Sequence, residues 1–160
     1  MIGFFLLAAF AFDQSATEAP SAEATHYPNV IHGELPLYPP IARAAHITGT
    51  VEIQLVVEKG AVIDAQVQSV GFDPSNRTVL SDEGKKKLGL YLSNPSLANV
   101  KTWQFESENR TTFLVTYVYK IEGEETQLPE SPKIELDLPR LVKVTTRPLK
   151  PTCSDCGLTF

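Results

Sequence analysis

Three histidines, two cysteines and one adjacent pair of glutamates are the residues here whose types could carry chemistry. His26 and His32 together would supply half of a tetrahedral metal site, and no further ligands follow at a suitable spacing. His46 lies near the end of an expected helix, outside any recognised motif. Hydrolase or transferase chemistry needs a nucleophile and a base oriented by a third group, and no such arrangement is visible. Cys153-Ser154-Asp155-Cys156 has the spacing of a redox pair, but a reactive thiol of that kind relies on a following helix N-terminus. Only Gly157-Leu158-Thr159-Phe160 remain. A local disulfide between Cys153 and Cys156 or two free thiols is expected, with half of a metal site completed by a second chain as the alternative. Glu124-Glu125 sits in a polar turn and reads as solvated. No glycine loop for phosphate is present. The residues predict a protein with no catalytic group, no cofactor and no metal.

The whole-chain properties narrow the class. At 160 residues the chain is one domain with tails. Apolar residues make up 42%, enough for a core, and the mean hydropathy of -0.08 excludes a polytopic membrane protein. The formal charge of -5 and pI near 5.2 argue against nucleic acid as a partner, because phosphate binding needs clustered Lys and Arg. Ile2 to Phe12 is an uncharged apolar run. Its 11 residues would span about 16 Å as a helix, against ~20 residues for a bilayer core. The run reads as the hydrophobic region of a signal peptide, with Ala9-Phe10-Ala11 as a small-x-small cleavage pattern. Export to the periplasm or cell envelope follows as an expectation, and an oxidising compartment would permit the disulfide.

The elements that would position a site come next. Of the twelve prolines, five fall between Pro20 and Pro40 and five between Pro129 and Pro151. Proline removes a backbone donor and is disfavoured inside helices and strands, so the prolines bracket a folded body. The expected organisation is a signal peptide over 1–12, a flexible lead-in over 13–35, a domain over 36–123 and an extension over 124–160. Pro39-Pro40 opens a helix with Ile41, Ala44 and Ala45 on one face, and Gly49 stops it. Val51, Ile53, Leu55 and Val57 alternate with polar residues in a strand. Glu58-Lys59-Gly60 turns the chain into a second strand over 62–70, with Ile63, Ala65 and Val67 inward. Leu80, Leu88 and Leu92 have helical spacing. Asn94-Pro95 reads as the cap of a separate helix, which buries Leu97 and Val100. A strand over 112–121 aligns Phe113, Val115, Tyr117, Tyr119 and Ile121 on one face. A further alternating strand is expected over 140–147. Together these predict an α+β fold: a small antiparallel sheet of three to four strands with two main helices packed on one face.

The motif order Tyr38-Pro39-Pro40-Ile41-Ala42-Arg43, Gly49-x-Val51, Gly60-x-Val62 and Trp103-x-Phe105, followed by the aromatic strand, resembles the C-terminal domain of TonB-family proteins over about residues 36–122. The residues by themselves read as structural. Tyr38, Trp103 and Phe105 are core aromatics, Arg43 caps a helix or joins an ion pair, and Gly49 and Gly60 answer backbone geometry. The resemblance implies a non-catalytic module that binds an extended peptide, such as an outer-membrane receptor segment, in TonB-linked transport. In that family the peptide adds a strand beside the last strand of the sheet, here the edge carrying Phe113, Val115, Tyr117, Tyr119 and Ile121. An open edge of that length invites aggregation, and the 140–147 strand could cover it in cis or pair with a neighbour in a strand-exchanged homodimer. The alternative is a structural or assembly domain whose sheet edge its own C-terminal strand closes. The 24-residue lead-in from Asp13 to Pro36 reaches about 80 Å at full extension, so force transmission across an envelope is not expected.

Overall fold

The computed structural model describes residues 27–73, 82–128 and 130–150. The central hairpin follows directly from local chemistry. β2 (Gly49–Glu58) and β3 (Ala61–Phe72) are joined by Lys59 and Gly60, both with positive φ, of 50° and 76°. Two such residues make a type I′ turn, whose twist matches that of the strands it joins. Val51, Ile53, Leu55 and Val57 are fully buried. β2 has 10 residues against the 12 of β3, and the pairing absorbs the excess in two bulges that skip Ile63 and Gln68. Ile63 therefore points outward, half exposed, rather than inward with Ala65 and Val67. At Gly49 a Cβ would collide with the carbonyl oxygen of Gly71, so the close approach of β3 demands glycine there.

The sheet grows outward on both sides of this hairpin. β5 (Thr111–Ile121) pairs antiparallel with β2, from Gly49↔Tyr119 to Val57↔Thr111. β7 (Leu141–Thr146) pairs parallel with β5, from Thr116↔Leu141 to Ile121↔Thr146, and β6 (Lys133–Asp137) pairs antiparallel with β7. On the other side, β4 (Gln104–Glu106) meets β3 at Ala61↔Gln104 and carries β1 (Asn29–His32). Among the described residues the order is β1-β4-β3-β2-β5-β7-β6, a mixed sheet of seven strands curled into a half-barrel.

This overturns the expected small antiparallel sheet of three to four strands with two main helices. The protein is mostly sheet, and β1, β4 and β6 are short strands created by their partners. β1 lies within the segment that reads as a lead-in, where Asn29-Val30-Ile31-His32 carries almost no alternation.

Among the described residues two helices pack against the sheet. α1 (Pro40–Ala44) buries Ala42 and Arg43, whereas Ile41, Ala44 and Ala45 are exposed. In a helix this short the tertiary contact chooses the face. α2 (Asp82–Val100) runs unbroken through Pro95 instead of dividing at Asn94. Leu92 and Val100 are fully buried, Leu97 is partly buried against the core, and Ser96 donates to the Leu92 carbonyl at 2.8 Å. The core joins this helix to alternate residues of β2, β5 and β7, including Val142 and Val144, which have no exposure.

Candidate protein-binding edges

Phe113, Val115, Tyr117 and Tyr119 are buried and Ile121 is partly buried. They belong to an aromatic series through the core. Tyr38 meets Tyr119 edge-on at 5.4 Å, Tyr119 stacks on Tyr117 at 6.2 Å, and Tyr117 stacks on Trp103 at 6.3 Å. Trp103 continues to Phe105, Phe105 to Phe113, and Phe113 to Tyr27. Edge-on and offset-stacked contacts of this kind stabilise beyond the area they bury.

The hydroxyls of Tyr38, Tyr117 and Tyr119 are satisfied. Tyr38 donates to the Ile47 carbonyl, and Tyr117 donates to Asn99 Oδ1 at 2.6 Å. The one proton of Ser96 goes to Leu92, so Tyr119 is the donor in its 2.8 Å contact with Ser96. Burial lifts the Tyr119 hydroxyl to about 12, and the rise is held back by Ser96, which can turn its own proton to the ionised oxygen. Burial, reinforced by Tyr119, lifts Tyr38 and Tyr117 further.

The backbone edge of β5 is not open. β7 occupies it from Thr116 to Ile121, and Thr116 N–H donates to the Arg140 carbonyl at 2.8 Å. β5 is thus an interior strand over that half. From Thr111 to Val115 the same side has no strand partner among the described residues. Here Tyr27 packs on Phe113, with the Arg140 guanidinium 5.9 Å from the Tyr27 ring centre.

Among the described residues the open edges of the sheet are its terminal strands, β1 and β6, and sequence reasoning named neither. Their residues line one cleft of about 300 Å³, with Ile31, Gly33 and Leu35 on one wall, Leu136 and Leu138 on the other, and Trp103 also lining it. Ile31 and Leu35 are 63% and 64% exposed, and Leu136 and Leu138 are 45% and 39% exposed, so the cleft has an apolar rim. Its first wall is fixed by the end of α2. Glu34 N–H donates to Thr102 Oγ1 at 3.0 Å, and Asn99 Nδ2 donates to the Glu34 carbonyl at 2.8 Å. Gly33 lies flat on the indole, where a Cβ would stand 2.7 Å from Trp103 Cδ1. The alternation Ile134, Leu136 among Lys133, Glu135 and Asp137 was the available signal for β6. For β1 there was none.

β6 is charged along its exposed face. Glu135 accepts from Lys133 at 2.6 Å and from Lys143 at 3.0 Å, and hydrogen bonding to these two lysines, Lys133 first, pulls its carboxyl down to about 2. Charged side chains of this kind blunt a free edge against indiscriminate pairing.

The motif residues hold the body together. Tyr38, Ala42, Val51, Trp103 and Phe105 are core, and Pro39 precedes α1 as its N-cap. Gly60 accepts from Phe105 N–H at 2.8 Å. Arg43 reaches the C-terminal extension, donating from Nε to the Arg147 carbonyl and from Nη1 to the Glu130 carbonyl. His46 Nε2 lies 3.2 Å from the Leu149 carbonyl oxygen. No group of three or more His, Cys, Asp or Glu side chains placed to hold a metal occurs among the described residues. His26, Cys153 and Cys156 lie outside the described residues. No helix among the described residues is long and apolar enough to cross a membrane.

Comparison with known proteins returns no matching family model and no matching curated relative.

Proposed function

We propose that this chain is a non-catalytic protein-interaction module of the cell envelope that takes up an extended segment of a partner by strand addition. The observation that carries the reading is the convergence of β1 and β6, the two ends of the sheet without a further strand partner among the described residues, on one cleft with an apolar rim. An extended backbone matches the unpaired groups of a strand edge, and its alternate side chains can fill the hollow beside them. The partner class, an extended protein segment such as one from an outer-membrane receptor in TonB-linked transport, comes from the motif resemblance.

Trp103 is the single tryptophan of the chain and lines the cleft, so its emission reads occupancy. Titration with extended peptides bearing alternate aliphatic residues should shift Trp103 emission and the amide resonances of 29–36 and 133–138. Saturable shifts confined to 111–115 would move the site to the uncovered half of β5. No saturable shift with any such peptide would remove the proposal.

A second reading, a structural or assembly domain closed by its own C-terminal strand, is favoured by one specific feature. β7 covers the edge of β5 while burying Val142 and Val144 completely. A strand-exchanged homodimer would place the same strand on a neighbouring copy, and light scattering across a concentration series distinguishes it from the monomer. Export is proposed from Ile2–Phe12 and is tested by fractionation with N-terminal sequencing of the mature chain.

A further inference from the structure

Beyond β6 the sheet has no further strand among the described residues, and the register of its neighbours fixes what that edge presents. The Arg140 carbonyl accepts from Thr116 N–H at 2.8 Å, and the Thr146 carbonyl accepts from Glu122 N–H at 2.9 Å. Backbone groups alternate sides along a strand, so the even-numbered residues of β7 face β5, and Leu141, Lys143 and Thr145 face β6. Their partners in β6 are Asp137, Glu135 and Lys133, whose backbone groups therefore face β7. Those of Ile134 and Leu136 point outward. Pro132 and Pro139 flank the strand, so the open ladder is short. Lys133, Glu135 and Asp137 share the face that carries Lys143, and the Lys133 and Glu135 side chains are 73% and 43% exposed. β6 lies outside residues 36–122, so the motif resemblance does not reach it.

Two copies of a sheet edge join about a two-fold axis only with their strands antiparallel. The charges then select the register, because like charges directly opposite destabilise a pair of strands. Centred on Lys133, Glu135 or Asp137, the strand sets that residue against its own copy. Centred on Leu136, it sets Glu135 against Asp137. Centred on Ile134, it sets Lys133 against Glu135 twice, and no like charges meet. In that register Ile134 faces its own copy, with N–H and C=O outward on both strands for two reciprocal hydrogen bonds. We propose that β6 is a self-recognition edge at which a second copy of this chain docks antiparallel, centred on Ile134. The charges that exclude indiscriminate strands thereby specify this one. Two five-residue strands by themselves bury less than the ~1,200–2,000 Å² of a stable interface, so the dimer is weak and concentration-dependent. The inference does not rest on peptide uptake at the cleft.

Sedimentation of the full chain without peptide tests this, so a failure leaves the reading of the cleft standing. The average mass of the native chain should rise toward that of a dimer with concentration. Lys133→Glu and Glu135→Lys each make both cross-pairs repulsive and should raise the dissociation constant about tenfold or more. An equimolar mixture of the two variants sets opposite charges face to face again at both positions, and association should return. Ile134→Pro removes only an outward N–H, so it should fold and stay monomeric. A native chain that stays monomeric up to its solubility limit overturns the proposal. So does a mixture that associates no better than either variant alone, or a dimer that persists in both charge variants, as strand exchange of β7 predicts. Should Ile134→Pro fail to fold, the charge pair decides, with circular dichroism confirming that both variants keep the native fold.

Discussion

Val144→Ala asks whether the C-terminal extension is part of the core or a cover laid over it. Val144 is fully buried in β7, paired with Tyr119 on β5 and Ile134 on β6. The substitution removes the equivalent of two methylenes, about 1.6 kcal/mol at ~0.8 kcal/mol each. A cavity of roughly 50 Å³ that fails to collapse adds about 1 kcal/mol. The expected loss is therefore about 2–3 kcal/mol, a substantial fraction of the ~5–15 kcal/mol that stabilises a typical domain. In urea, with a slope near 2 kcal/mol per molar, the midpoint should fall by about 1 M. Trp103 emission and far-ultraviolet circular dichroism should report one coincident transition, because Trp103, Tyr117, Tyr119 and Val144 share a core. Leu128→Ala is the control. Leu128 is 74% exposed, and its loss should stay within about 0.5 kcal/mol. A Val144→Ala cost as small as the control's, or a separate early transition for β6 and β7, would refute the packing argument and make the extension detachable.

Tyr119→Phe removes the donor to Ser96 while Ser96 keeps its bond to Leu92, so the loss should be modest, about 1 kcal/mol by urea unfolding; Tyr117→Phe, which strands Asn99 Oδ1, should cost more. Alkaline pH should destabilise the fold. With folded-state values raised above the unfolded value near 10, to about 12 at Tyr119, the tyrosines keep their stabilising contribution below pH 10 and lose it as pH climbs through the folded values. A single five-tyrosine ionisation step near pH 10 in the folded protein, read at 295 nm, would contradict this. Gly33→Ala should displace the indole, shifting Trp103 emission and weakening peptide uptake at the cleft, and an unchanged spectrum would mean that the chain backs away from Trp103 instead. The Glu135 carboxyl should titrate near 2 in a carbon-detected NMR titration, with its pairing to Lys133 and Lys143 persisting below the ordinary carboxylate range and disappearing as pH falls through that value. Lys133→Ala should move that titration back up.

What was legible in the sequence was the part governed by neighbours along the chain. A period of two marked β2, β5 and β7, because burial on one face of a pleat repeats every second residue. Gly60 announced the turn, because glycine accepts positive φ without a steric penalty, whereas the positive φ of Lys59 was not legible. Trp103 and Phe105 declared themselves core by size. Tertiary structure decided the rest. β1 exists because Asn29, Val30 and His32 find partners in Glu106, Phe105 and Gln104, and nothing within four residues of chain encodes a partner more than seventy positions away. The bulge that turns Ile63 outward, the exposed side of α1 and the continuation of α2 through Pro95 are likewise compromises between local preference and packing. The cleft was illegible for the same reason. Its two walls are the ends of the sheet, and only the curl of the whole sheet brings them to one opening.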